Sequence, residues 1–227
     1  LIVSVVKGIE RETLMTMTEV IEDVLGGDIP DARIVALSGP THAEEVAAGL
    51  PTAIVAACPD LAAAREVQNI FMSLQFRVYV NSDARGVQLC GALKNVIALA
   101  SGIAHGMGFG DNTRAAIITR GMAEMSRLGI AMGCAPETFF GLAGIGDLVV
   151  TCMSVHSRNN SCGMMIGQGV PLDEALSRVG MVVEGVNTLP AALLLAEKYG
   201  VELPIISMVD RVLYHGLSPR AAVDALM

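Results

Sequence analysis

The string Gly141-Leu-Ala-Gly-Ile-Gly-Asp147 runs through Leu-Val-Val-Thr151-Cys to Ser157-Arg158-Asn159. Three glycines within six residues let a backbone approach a ligand closely, forming a flexible cradle, and Asp147 closes the run with an acidic orienting group. Arg158 follows one loop later with a planar guanidinium fork suited to phosphate oxygens. A small anionic substrate needs that inventory. The competing reading of the glycines is a turn that ends one helix and opens another, with Arg158 at the surface.

Lys94 stands in Gly91-Ala-Leu-Lys94-Asn95-Val-Ile-Ala-Leu-Ala, where nearly every neighbour is small or apolar. A lysine in such a helix either snorkels its head to water or is held in a cleft to exchange a proton. The second role requires its pKa to fall from about 10.4 toward neutrality, through burial or a neighbouring cation. Asn95 adds a polar group, although adjacent helical residues point about 100° apart and meet one cleft only at its rim. Lys7-Gly8 follows the first apolar run, and Ser38-Gly39-Pro40-Thr41-His42-Ala43 follows the second. Ligands of open α/β sheets bind beyond the carboxyl ends of strands, where a glycine turn opening a helix offers free N–H groups. Gly106-Met-Gly108-Phe-Gly110-Asp111-Asn112-Thr113 reads as a helix–helix loop with Asp111 or Asn112 capping the next helix. Neither glycine string has G-x-G-x-x-G spacing, so no dinucleotide fingerprint is present.

The elements that must position these residues are of two kinds. Leu1–Val6, Arg33–Leu37, Thr52–Ala57 and Phe76–Val80 are apolar or β-branched runs that predict strands. Helical spacing separates them over Glu12–Leu25, His42–Ala48 and Leu61–Met72. Beyond Asp83 the strand signals stop. Helices are predicted over Gly86–Ala104, Thr113–Leu128, Leu172–Val179, Leu189–Tyr199, Ile205–His215 and Pro219–Leu226. Pro190 is expected in the first turn of its helix, and Ser218 as an N-cap with Pro219 behind it. The fold class is α/β plus all-α, with an α/β layer over residues 1–83 and a larger helical domain over residues 84–227.

Composition excludes several functions. The 227 residues are 52% hydrophobic and 17% charged, enough for a sizeable core. A net charge of −8 argues against nucleic acid, so an anionic substrate must be drawn by a local basic cluster. No uninterrupted apolar run approaches the roughly 18–20 residues of a bilayer span. The first residues lack the marks of a signal peptide and read as a strand that begins in mid-domain. Five cysteines are spread apart without a C-x-x-C, which fits reduced core residues of a cytoplasmic protein. The four histidines have no metal-ligand spacing, and no metal site is expected.

Taken together, the strings resemble the bacterial-type NAD(P)-dependent glycerol-3-phosphate dehydrogenases. The matching pieces are Val6-Lys7-Gly8-Ile9-Glu10, Leu37–Glu45, Gly91–Ile97, Gly110–Thr113, Thr119–Glu124, Gly141–Cys152, Ser157-Arg158-Asn159, Val183-Glu184-Gly185 and Leu203-Pro204-Ile205, in family order. The resemblance implies reversible hydride transfer between NAD or NADP and C2 of glycerol 3-phosphate or dihydroxyacetone phosphate, which supplies glycerophospholipid precursors. It implies that Lys94 exchanges the C2 proton and that Asp147 holds that lysine or a substrate hydroxyl. Ser157, Arg158 and Asn159 would take the phosphate. Lys7, Gly39, Thr41, Asn95 and Thr151 would complete the substrate pocket, and Ala43, Val182 and Glu184, with Lys7 and Arg158, would face the cofactor. Thr41-His42 stands where Ser-Phe is commoner in the family, with the hydroxyl kept. A cytoplasmic homodimer is expected, without nucleic-acid or membrane partners.

Family members open with a strand–G-x-G-x-x-G–helix unit, which the sequence lacks. The first domain is therefore expected to be a remnant of a Rossmann-like sheet, with an apolar edge exposed and weak cofactor binding and catalysis by the chain alone. Two alternatives remain at this point: an inactive truncated helical or dimerisation domain, and a related 3-hydroxy acid dehydrogenase. The Ser157-Arg158-Asn159 string favours a phosphorylated substrate over the latter.

Overall fold

The computed structural model describes residues 1–26 and 33–227. Up to Asn81 strands and helices alternate: β1 (Ile2–Ser4), α1 (Met17–Leu25), β2 (Ile34–Ser38), α2 (Ala43–Ala47), β3 (Thr52–Ala57), α3 (Leu61–Phe71) and β4 (Phe76–Asn81). The strands form one sheet in the order β1-β2-β3-β4, with β1 parallel to β2, β2 antiparallel to β3, and β3 parallel to β4. Connection length explains the mixed pattern. With five residues, α2 advances about 7.5 Å, well short of the roughly 16 Å covered by a five-residue strand such as β2. It cannot carry the chain back to start a parallel neighbour, so β3 reverses. The eleven residues of α3 reach about 16 Å and can. Edge strand β1 leaves Leu1 and the following Val5 exposed.

Alternation along the strands makes two unlike faces. Val35, Leu37, Ile54, Ala56 and Val78 pack with Ala63, Ala64 and Val67 of α3. Ala36, Val55 and Ala57 turn the other way, onto Ala84, Val87 and Ala143. Small side chains on that second face let the helical part approach the sheet closely.

The helical part comprises α4 (Ala84–Gly106), α5 (Asp111–Ala131), α6 (Pro136–Phe139), α7 (Asp147–Met153), α8 (Arg158–Gly167), α9 (Leu172–Val179), α10 (Glu184–Tyr199), α11 (Pro204–Tyr214) and α12 (Pro219–Leu226). Its hub is α4, mostly apolar and buried from Ala84 to Ala104 except at Arg85 and Ala100. The interruptions noted in the sequence do not prevent this 23-residue helix from being long and apolar enough to cross a membrane, yet it lies inside the fold. Asp83 fixes its start by accepting from Gly86 N (2.9 Å), Ala135 N (2.9 Å) and Thr138 Oγ1 (2.8 Å). Further along, glycines bring α8 against α4 backbone to backbone. A Cβ at Gly102 would lie 2.2 Å from Asn160 O, and one at Gly163 would lie 2.2 Å from Leu99 O. Buried Glu124 of α5 caps α11 by accepting from Ile205 N (2.7 Å) and Ile206 N (3.3 Å).

Three local expectations are corrected. The first helix begins at Met17 rather than Glu12, because the Glu10 carboxylate binds the Glu12 and Thr13 N–H groups and closes a turn. Leu14 there has a left-handed φ of 62°, and Thr16 and Glu19 then cap the helix, Thr16 N donating to Glu19 Oε2 at 2.7 Å. Pro190 lies inside α10 rather than in its first turn, because the helix starts earlier, at Glu184. Its N-terminus is held by Gly185 N–H donating to Asn159 Oδ1 at 2.8 Å. The N-cap of α5 is Gly110, and Asp111 is its first helical residue.

Gly163→Val should destabilise the chain by about 1–3 kcal/mol, since the side chain must push a carbonyl of α4 aside. Denaturant midpoints of the two proteins measure this; coinciding midpoints would mean that α4 and α8 do not meet at that glycine.

Candidate active site

The carboxyl ends of β1 and β2, the middle of α4 and the N-termini of α7, α8 and α10 converge on a cleft of about 570 Å³. At its floor, Asp147 and Thr151 lie one turn apart on α7 and face the same way. Lys94 of α4 donates to Asp147 Oδ1 in a short contact and to Thr151 Oγ1 at 2.8 Å. Thr151 Oγ1 in turn donates to the Asp147 carbonyl at 2.6 Å. Lys7, just beyond β1, donates to the other carboxylate oxygen, Oδ2, at 2.9 Å, and to Gly39 O at 3.5 Å. Gly91 makes room for it: a Cβ there would lie 3.1 Å from Ser38 Oγ and 3.4 Å from Lys7 Cγ.

Two lysines thus share one buried carboxylate, Lys94 from inside the fold and Lys7 from a partly exposed position. Lys94 is 5% exposed and Asp147 1%. Burial, and next the charge of Lys7, bring the Lys94 ammonium down to about 7, against the opposing attraction of Asp147. A lysine so poised can give or take a proton near neutral pH, while Lys7 stays close enough to stabilise a developing oxyanion.

The second half of the cleft is the start of α8. Ser157 caps it, its Oγ accepting from Asn160 N at 3.2 Å. The free N–H groups of that first turn and the exposed Arg158 suit an anion. The Arg158 guanidinium donates to Val182 O at 3.0 Å. Asn159 is buried and ties three helices together, donating to Asn95 Oδ1 (3.1 Å) and accepting from Gly185 N. Asn95 Nδ2 donates back to Gly91 O at 3.3 Å.

Of the residues singled out in the sequence, Lys7, Thr41, Ala43, Lys94, Asn95, Asp147, Thr151, Ser157, Arg158, Asn159 and Glu184 line this one cleft. Gly39 and Val182 do not line it; each is joined to it through a carbonyl, to Lys7 and to Arg158. The cradle expected at Gly141–Gly146 is corrected. Leu142–Gly146 forms one wide turn of π-helix that feeds α7, with Gly146 N bonded to Gly141 O at 3.3 Å. Gly144 is there for packing, since a Cβ would meet Phe139 O at 2.0 Å, and none of the three glycines lines the cleft. Sequence reasoning did not single out as site residues His42 and His156, whose rings lie at the cleft with centroids 5.9 Å apart and planes tilted by 56°, or Val5, Val6, Glu44, Val150 and Met181. The signal for both histidines was adjacency, since His42 follows Thr41 and His156 precedes Ser157.

Comparison with known proteins agrees across the chain. The sequence model for the NAD-dependent glycerol-3-phosphate dehydrogenase C-terminus matches residues 83–224, and that for the N-terminus matches residues 1–64. A glycerol-3-phosphate dehydrogenase (NAD(P)+) of Lactobacillus delbrueckii subsp. bulgaricus is 59% identical, over all of this chain and 68% of its own length. That of Pelotomaculum thermopropionicum is 57% identical, over all of this chain and 64% of its own. The crystal structure of the Coxiella burnetii glycerol-3-phosphate dehydrogenase superposes with a TM-score of 0.92 at 38% identity, covering 99% of this chain and 67% of that one. The chain therefore spans about two thirds of the length of the relatives it matches. It belongs to the NAD-dependent glycerol-3-phosphate dehydrogenase family.

Proposed function

We propose that this chain carries the substrate-binding and catalytic half of an NAD(P)-dependent glycerol-3-phosphate dehydrogenase, with Lys94 as the group that exchanges the C2 proton. The observation that carries the reading is the buried Lys94 beside Asp147, Thr151 and a second lysine, at the floor of a cleft. In oxidation, neutral Lys94 takes the proton of the C2 hydroxyl; in reduction, its ammonium returns a proton to the carbonyl oxygen. Asp147 holds Lys94 and Lys7 at fixed positions, and Lys7 supports negative charge on the reacting oxygen. Ser157, Arg158 and Asn159 at the start of α8 take the phosphate, and Lys7, Gly39, Thr41, Asn95 and Thr151 complete the substrate pocket.

A nicotinamide held at this cleft would supply the hydride chemistry at C2. Ala43, Val182 and Glu184, with Lys7 and Arg158, hold the cofactor, and the exposed apolar side chains of Val5, Val6 and Met181 suit a flat ring at the cleft mouth. We assign residues 1–83 to the dinucleotide-binding domain and residues 84–227 to the substrate domain. Because the sequence holds no G-x-G-x-x-G turn, the chain alone is expected to bind cofactor weakly and to turn over slowly. The reaction places it in the supply of glycerophospholipid precursors. Five free, buried cysteines support a reducing compartment such as the cytoplasm. Exposed Ile130 and Phe140 support a homodimer.

The assay follows reduced-nicotinamide absorbance with dihydroxyacetone phosphate, using the chain joined to the cofactor-binding segment of a relative. Silence with this substrate, or preference for a 3-hydroxy acid, overturns the reading. Lys94→Ala should lower kcat by about 10²–10⁴-fold while sparing cofactor binding; a normal kcat removes Lys94 from the mechanism. The pH profile should have opposite signs in the two directions. Oxidation, which needs neutral Lys94, should rise as pH passes upward through about 7, and reduction, which needs the ammonium, should fall over the same range. Arg158→Ala should raise KM for the phosphorylated substrate about 10–100-fold, the worth of a charge-assisted hydrogen bond. An unchanged KM would place the phosphate elsewhere.

A further inference from the structure

The seven-residue helix α7 carries two of the three groups around Lys94, yet it hangs between a glycine-bearing wide turn and the loop Ser154–His156. Its N-terminal end is held by the lysines on Asp147. Its C-terminal end is held at one atom, the carbonyl oxygen of Cys152, the residue after Thr151. That oxygen accepts from Asn160 Nδ2 of α8 at 2.7 Å, from Arg114 Nη2 of α5 at 3.0 Å, and from Ser101 Oγ of α4 at 3.4 Å. A carbonyl offers two lone pairs, so three donors saturate it. As one of the last carbonyls of its helix it has no partner within α7. Arg114 is the charged member, with a side chain only 14% exposed. Its nearest carboxylate, on exposed Asp111, is 3.8 Å away, and its Nε is buried without a hydrogen-bond partner. The guanidinium is therefore directed at the negative end of α7, where a cation is favoured. It does not line the cleft.

We infer that Arg114 is a positioning residue: with Asn160 and Ser101 it pins the C-terminus of α7, and so holds Asp147 and Thr151 in register against Lys94. Three helices that pack on α7 converge on one oxygen, which fixes both the rotation and the axial position of a helix too short to fix itself. The inference rests on the reading of Lys94 as the acid–base, but its test does not. The groups facing Lys94 are Asp147 and Thr151 on α7 and Lys7 beyond β1. The nearby Cys152 thiol is pushed up to about 12 by burial and stays neutral.

The test follows the Lys94 side chain by NMR in the full chain, labelled with ¹³C-lysine, against pH. In Arg114→Ala, α7 is free to shift and Lys94 loses the anion that favours its ammonium, so its titration midpoint should fall by about 0.5 or more. Arg114→Lys, which keeps a cation and a donor for the same oxygen, should restore most of the original midpoint. Ser101→Ala removes only the longest of the three bonds; it should fold whatever the arginine variants do, with a smaller fall of the same sign. In the cofactor-competent enzyme, Arg114→Ala should lower kcat about tenfold, with KM for the phosphorylated substrate within about twofold, since Arg158 is untouched. A Lys94 midpoint unmoved or raised in Arg114→Ala and in Ser101→Ala overturns the proposal, whatever becomes of kcat. A midpoint that falls while Lys94→Ala keeps its activity leaves the clamp standing and removes the acid–base reading instead.

Discussion

One buried carboxylate holds this molecule's two parts to a common purpose. Asp147 takes Lys7 on one oxygen and Lys94 on the other, partners 140 and 53 residues away in the chain. Removing such a group from water is costly, and a single ion pair seldom recovers that cost. Here the carboxylate is served by both lysines, and Thr151 ties Lys94 to the same turn of helix. The outcome is an arrangement with one positive charge too many. The excess is relieved at Lys94, which burial and the neighbouring charge of Lys7 drive toward neutrality.

Everything around that carboxylate serves to bring α4 close to its neighbours. Alanines on one sheet face admit it from below, Gly91 admits it beside Lys7 and Ser38, and Gly102 with Gly163 lets α8 lie directly on it. Gly185 does the same for α10, where a Cβ would sit 2.5 Å from Asn95 O. Because the contacts at Gly102, Gly163 and Gly185 bring backbones together, the polar side chains on either side of them have little room to wander. Asn159 exploits this, binding α4 and α10 at once while its neighbours Ser157 and Arg158 face the cleft. Rigid packing and chemical placement are the same set of contacts.

Much of this was legible along the chain, for local reasons. Thr52–Ala57 and Leu172–Val179 were read with their observed bounds, because a β-branched run and amphipathic spacing report directly on how each segment is buried. The ordered strings from Val6 to Ile205 pointed to a single family, and most of the site residues carried by that resemblance line one cleft. The errors occur where a distant or reversed contact decides a local shape. The start of α1 moved because a carboxylate two residues ahead closed a turn on itself, and that of α10 because an asparagine from another helix capped it. Gly141 to Gly146 looked like a cradle because glycine signals close approach without saying to what; at Gly144 the answer was the neighbouring carbonyl of Phe139.

The sequence by itself determined the four strands and most of the helices, though not α6, α7 and α8, as well as the change from mixed to helical architecture near residue 83 and the inventory of lysine, aspartate, arginine and asparagine available for chemistry. These follow from side-chain period and residue type, which are properties of the chain alone. Only the tertiary structure decided that Lys7 and Lys94 would compete for one carboxylate. It also brought His42 and His156 to the same mouth, and made a single carbonyl at Cys152 the anchor of α7. Those outcomes depend on how far apart two backbones can come to rest, and that distance is set by packing over the whole molecule, not by any segment of it.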